Sequence, residues 1–155
     1  MELAKTLASS LNEVLLDGKW VSGTNIKDEI IDLDWKIATK KISSLNSIAD
    51  LTFHLDYYLV GVLNVFNGGE LEIKDKFSFD YKPIDSQKNW EKLIAKFCID
   101  AEKIISAVAF MNDKDLEKTF AKKEYGNYFR NITVMSEHCY YHLGQIKLIK
   151  KMITG

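Results

Sequence analysis

Apolar residues recur in steps of three and four along four long stretches of the chain. This spacing is typical of amphipathic helices that bury one face. The predicted helices span about residues 3–16, 47–67, 85–111 and 127–152. The chain has one proline and eight glycines, residues that helix interiors disfavour. The pattern therefore predicts an all-α protein.

Polar residues mark where the helices begin. Ser47 and Asp50 have the spacing of a capping box, which predicts the start of the second long helix. The weaker pattern over residues 20–46 predicts one or two short helical turns, with Thr24 and Asp34 as their caps.

Two connections lack a helical pattern. Residues 69–85 include "FSFDY", which alternates apolar and polar positions, but five residues without a partner strand do not make a sheet. Residues 112–126 form a shorter polar connection. A long connection between bundle helices is typically a crossover. We therefore expect one domain over residues 1–155, a four-helix bundle with a long crossover between helices 2 and 3.

Composition excludes several functions. Net charge is −1, with 21 basic and 22 acidic residues scattered along the chain, so no basic face favours nucleic acid. Apolar runs are shorter than the roughly 20 residues of a membrane span. Cys98 and Cys139 form no metal or redox motif. The N-terminus lacks a signal-peptide pattern, and we expect a cytoplasmic protein without nucleic-acid or membrane partners.

The chain has three histidines, and two of them share a helix face. His138 and His142 are four residues apart in "EHCYYHLGQI", which places their Cβ atoms about 5–6 Å apart. Two imidazoles so placed can bind one ion at about 2.0–2.1 Å. "HCYYH" lacks the glutamate of the zinc-protease motif H-E-x-x-H. A pair of buried histidines that only hydrogen-bond to neighbours is the structural alternative.

Position within the helices favours the metal. His142 belongs to the apolar seam of the fourth helix, where an unpaired polar group costs about 1–3 kcal/mol. His54 lies beside the apolar stripe of the second helix, so the two helices can present these residues to each other. The seam consists of Tyr128, Ile132, Met135, Cys139, His142, Ile146 and Ile149, and the stripe of Ile48, Leu51, Leu55, Tyr58, Val62 and Phe66.

The tail "EHCYYHLGQI", together with the histidine in "NSIADLTFHLDYY", resembles the DinB/YfiT-like family of four-helix bundles. The order of the helices and the long connection after the second one resemble that family too. The resemblance implies a divalent metal held by His54, His138 and His142. It also implies a homodimer, since related bundles often pair through helix faces.

Three nitrogen ligands leave a coordination position open, as catalytic sites do. Nitrogen ligands suit zinc or nickel better than magnesium or calcium. Characterised members of the family include transferases that use low-molecular-weight thiols such as bacillithiol, so we expect a metal-dependent, thiol-dependent transferase with a small-molecule substrate. The alternatives are a metal-dependent hydrolase and a non-catalytic stress protein that binds a metal or small ligand. The sequence offers no clear general base, which weighs against hydrolysis.

Four further residues are candidates for the pocket. Asp50 lies one turn before His54 and either orients it or caps the helix. Gln145 follows His142 by three residues and either contacts it or lines the seam. Tyr58 and Tyr141 either line the pocket with their hydroxyl groups or pack in the core.

Overall fold

Seven α-helices and two 3₁₀ turns make up the regular structure of residues 2–155, the part of the chain that the computed structural model describes. No strand occurs in that range, so the all-α prediction is confirmed. The helices are α1 (Glu2–Leu15), α2 (Ile26–Ile30), α3 (Trp35–Ala38), α4 (Ile48–Phe66), α5 (Gln87–Ala109), α6 (Asp113–Glu117) and α7 (Tyr128–Thr154). The 3₁₀ turns are Asp75–Phe77 and Lys123–Tyr125. None of these helices combines the length and apolar character needed to cross a bilayer.

Side-chain caps define where the long helices begin. The capping box at α4 is present, since Ser47 Oγ accepts the Asp50 N–H at 3.1 Å and Asp50 Oδ2 accepts the Ser47 N–H at 2.7 Å. Ser86 and Asn127 cap α5 and α7. Each cap satisfies a backbone donor that the first helical turn leaves unpaired.

Two local predictions were wrong. Asn25, and not Thr24, caps α2, because Asn25 Oδ1 accepts the Asp28 N–H at 2.9 Å. The polar connection 112–126 contains α6, which a capping box of Asn112 and Asp115 begins. Asp34 caps α3 as predicted.

The four long helices enclose the core. Helices α1 and α4 each contact both α5 and α7. Between them lie apolar side chains with almost no solvent exposure, among them Leu11, Leu55, Trp90, Phe97 and Ile146. The predicted seam of α7 is buried from Ile132 to Ile149, and Tyr128 at its start is half-buried.

A buried charge joins α4 to α5. Asp56 is almost completely buried, and its Oδ2 binds the ammonium group of Lys96. Lys96 also contacts Asp100 at 2.7 Å, and Lys103 contacts Asp100 at 3.3 Å. Asp56 is the ninth of 19 residues in α4 and Lys96 the tenth of 23 in α5, so their pairing joins the middle of one helix to the middle of the other.

Residues 67–86, which we call the connecting segment, lie along α4. Its contacts follow α4 backwards from end to start, which returns the chain to the beginning of that helix. They include Asn64 Nδ2 to Glu70 O at 2.8 Å, Lys74 N to Tyr57 Oη at 2.8 Å, and Tyr81 Oη to Asp50 Oδ1 at 2.8 Å. The segment is therefore held to α4 along several turns.

A glycine permits the closest approach of this segment to α4. A Cβ atom added at Gly61 would lie 2.1 Å from Ile73 Cγ2, a distance that no real Cβ atom tolerates. Because Ile73 is β-branched, its Cγ2 cannot move away without moving the chain or the side-chain rotamer. Gly61 is thus required for the position of the connecting segment.

Candidate metal centre

The Nε2 atoms of the three histidines converge. His138 Nε2 lies 3.2 Å from His54 Nε2 and 2.9 Å from His142 Nε2. The potential ligand atoms all lie within 4.8 Å of one another. Helix α4 provides His54, and α7 provides the other two from one face, as their spacing predicts.

These distances suit a shared transition-metal ion. Two nitrogens at about 2.0–2.1 Å from one ion lie about 3 Å apart at tetrahedral or octahedral angles. Imidazole nitrogen is a preferred donor for zinc, nickel and copper. The donor set therefore fits a divalent transition metal, and His54, His138 and His142 are the residues that could hold it.

Gln145 fixes the tautomer of His142. Its Oε1 lies 2.6 Å from His142 Nδ1, and because a carbonyl oxygen only accepts, Nδ1 must carry the proton. In the neutral ring the lone pair then lies on Nε2, the atom that faces His138. Gln145 thus contacts the centre, one of the two roles expected for it.

Aromatic rings enclose His54. Phe79 of the connecting segment stacks on the imidazole with centroids 4.5 Å apart, and Tyr58 meets it edge-on at 4.9 Å. His54 Nδ1 is buried and has no hydrogen-bond partner of normal geometry among residues 2–155. The Ser78 backbone is near enough to raise the His54 pKa slightly against the larger effect of burial.

The cluster favours neutral imidazoles. Burial, together with the neighbouring histidines, lowers the pKa of both His54 and His138 from 6.5 to about 4. Burial also lowers the pKa of His142, and its bond to Gln145 opposes that change. At neutral pH all three rings are therefore uncharged, the state in which imidazole binds a metal.

Asp75 is a carboxylate near the centre that sequence analysis missed. It accepts a hydrogen bond from Tyr58 Oη, and its charge raises the pKa of His54 and His138 against the effect of burial. Burial and Asp75 together raise the pKa of Tyr58 to about 12. Asp75 lies in a connection without a periodic pattern. The sequence therefore contains no sign that it lies near the histidines, and only the folded structure shows this.

The other candidates differ in their placement. Tyr58 lies in the centre, with its ring against both His54 and His138. Tyr141 contacts His142 edge-on at 5.0 Å, but 65% of its surface is exposed. Asp50 bonds to Ser47 and Tyr81 and pairs with Lys41 at 3.3 Å. It therefore caps α4 and holds the connecting segment, and it makes no bond to His54.

An apolar cleft adjoins the histidines. Its volume is about 340 Å³, and His138 and Tyr58 belong to its lining. The other walls come from α4, the connecting segment, the loop before α7, and α7 itself. A cleft of this size can hold a small ligand.

Comparisons with protein-family models, curated proteins and solved structures find no match for this chain.

Proposed function

We propose that His54, His138 and His142 bind one divalent transition metal, zinc or nickel, and that this centre is catalytic. The convergence of three Nε2 atoms from two helices is the observation that carries the proposal. Three ligands leave room for a substrate, the pattern of catalytic centres as opposed to closed structural ones.

We also propose that the fold is a DinB/YfiT-like four-helix bundle. The contacts of α1 and α4 with both α5 and α7 support a bundle of four. The return of the connecting segment along α4 supports a crossover between the second and third long helices. The histidine positions agree with the resemblance found in the sequence.

Transfer of a thiol to an electrophile is the proposed reaction. A bound divalent metal would supply Lewis acidity, which lowers the pKa of a thiol that binds it. Gln145 keeps the lone pair of His142 on Nε2, and the aromatic rings of Phe79 and Tyr58 limit the access of water to His54. The thiol sulfur would form the new C–S bond, while the leaving group departs and the thiol proton passes to solvent.

Hydrolysis is a second candidate because Asp75 lies near the centre. A carboxylate at that position provides the base that the sequence did not reveal, and Tyr58 holds it by a hydrogen bond. The third candidate is a non-catalytic protein that binds a metal or small ligand. It would use the same histidines but would need neither Asp75 nor Tyr58.

Metal titration of the purified protein tests the centre. Zinc and nickel should bind at one ion per chain, and alanine at any of the three histidines should weaken binding at least tenfold. Glu137→Ala is the matched control, because Glu137 precedes His138 and its side chain is exposed. Equal affinity in wild type and all three histidine variants would refute a shared ion.

Turnover separates the candidate reactions. The zinc-loaded protein is assayed with cysteine and 1-chloro-2,4-dinitrobenzene, and separately with 4-nitrophenyl acetate. We expect conjugation that His142→Ala abolishes. Ester cleavage that Asp75→Asn abolishes would favour the hydrolase instead, and bound metal without either activity would favour the non-catalytic protein.

A further inference from the structure

The cleft beside the histidine centre has a mainly hydrocarbon surface. Its apolar lining consists of Val62, Leu71, Ile73, Phe120, Val134 and Met135. Among residues 2–155, no Asp, Glu, Lys or Arg lines it. An apolar group of a ligand can be buried against such a surface, but a charged group finds no partner there.

Packing behind the cleft holds two of its walls in place. Phe120 is almost fully buried, and its ring meets Phe66 and Tyr128 edge-on at 6.2 and 5.5 Å. Ile73 is fixed by its close approach to Gly61. The cleft is therefore largely formed before a ligand enters, which reduces the entropy lost on binding.

The polar groups of the lining are the amide of Asn131, the hydroxyls of Tyr58 and Tyr125 and the imidazole of His138. Asn131 Nδ2 donates to the backbone oxygens of Tyr125 at 2.7 Å and Asn127 at 2.8 Å. Both amide hydrogens are thus used, and Oδ1 is the atom of this side chain left to bind a ligand. A carbonyl oxygen accepts and cannot donate, so it suits a hydroxyl or amine N–H and not a carboxylate.

We propose that this cleft binds the uncharged, apolar part of the substrate, a group of about the size of an aromatic ring system, while its reactive end reaches the histidines. That His138 lines both the cleft and the centre supports this orientation. The reaction at that end rests on the proposed function, whereas binding in the cleft does not. A carboxylate placed among the apolar residues, away from the histidines, would lose its hydration without gaining a cation. A thiol cosubstrate that carries carboxylates would then have to bind outside the cleft.

Two probes with the same ring test the charge preference. 2-Naphthalenemethanol and 2-naphthoate are titrated separately into metal-free ¹⁵N-labelled protein at pH 7.5, so that the carboxylate has no zinc ion to bind at the neighbouring histidines. We expect the alcohol to bind at least tenfold more tightly, with its largest amide shifts around Val62, Phe120 and Val134. Equal affinities, or tighter binding of the carboxylate, would overturn the proposal.

A charge placed in the wall provides the second test. Val134 is 38% exposed on α7, so Val134→Asp should fold, and it should weaken binding of the alcohol at least tenfold. Ile99→Asp is the control, because Ile99 is exposed on α5, which contributes nothing to this lining. Equal weakening by both variants would refute binding in the cleft.

The metal-free titration separates this inference from the proposed function. Selective binding of the alcohol in a protein that takes up no zinc or nickel would support the cleft and refute the metal enzyme. Bound metal without binding of the alcohol would refute the cleft and leave the metal centre standing.

Discussion

The side-chain oxygen of Gln145 lies 2.6 Å from His142 Nδ1 and orients the ring toward the centre. Partners of this kind typically change metal affinity 10- to 100-fold. We expect Gln145→Ala to weaken zinc binding about tenfold or more by competition with a chelating dye. Lys147→Ala, two residues further along the same helix, should bind zinc as the wild type does. Unchanged affinity in Gln145→Ala would show that the contact has no role in metal binding.

In the metal-free protein, His54 and His138 should titrate well below the usual range of histidine. Since the pKa of His54 and His138 is lowered to about 4, both rings stay neutral down to about pH 5 and become charged below that. Protonation of His54 and His138 should consequently weaken metal binding in this lower pH range. Proton NMR of the imidazole Cε1 protons measures the midpoints, and values near 6.5 would contradict a buried cluster.

Removal of the Asp75 charge should shift the titration midpoints of two of the three histidines. Asp75 favours the imidazolium form of His54 and His138, so Asp75→Asn should lower the pKa of both still further. The pKa of His142 responds to burial and to Gln145, and its midpoint should change least. Equal shifts at all three rings would indicate a rearranged site instead of a lost charge.

Two glycines in long helices should respond oppositely to alanine. Gly61→Ala places a Cβ atom against Ile73 and should destabilise the protein by about 1–3 kcal/mol. At Gly144 the added atom has no neighbour within 4 Å in the described part of the chain, so Gly144→Ala should stabilise the protein by up to about 1 kcal/mol. Urea unfolding measures both, and Ile73→Ala should restore much of the stability of Gly61→Ala. A stabilising Gly61→Ala would show that the connecting segment does not approach α4 so closely.

Removing the ammonium group of Lys96, which contacts Asp56, should destabilise the protein more than removing that of Lys103. Lys96→Met leaves a buried carboxylate without a partner and should destabilise by about 2 kcal/mol. Lys103 contacts Asp100 alone, and its side chain is largely exposed, so Lys103→Met should cost under about 1 kcal/mol. Thermal unfolding at pH 7.5 measures the stability of both variants. Equal losses of stability would show that the contact between Lys96 and Asp56 does not stabilise the protein.

Periodicity predicted the helices that carry the histidines. The seam of α7 and the capping box of α4 follow from local spacing, and both are present. The prediction that the apolar stripe of α4 is buried was correct only for its first half, because Tyr58, Val62 and Phe66 are half-buried. The first two of these line the cleft, and Phe66 belongs to the aromatic cluster behind it. A helical pattern identifies the apolar face without showing where the protein leaves a cleft in it.

Contacts of the connecting segment could not be predicted in the same way. Asp75 and Phe79 are 21 and 25 residues beyond His54 in a stretch with no regular pattern, and only the fold brings them to it. Helix α6 is different, since Asn112 and Asp115 repeat the capping-box spacing that identified α4. That signal was present in the sequence and was overlooked because the surrounding residues are polar.

The approach of the connecting segment to α4 has a consequence for divergence among proteins with this site. Helices α4 and α7 supply the three histidines, whereas the segment supplies Phe79, Asp75 and two apolar walls of the cleft, Leu71 and Ile73. Loops tolerate substitution and changes of length better than packed helices do. Substitutions within the roughly twenty residues between two helices could therefore change which substrate binds, while all three histidines stay in place.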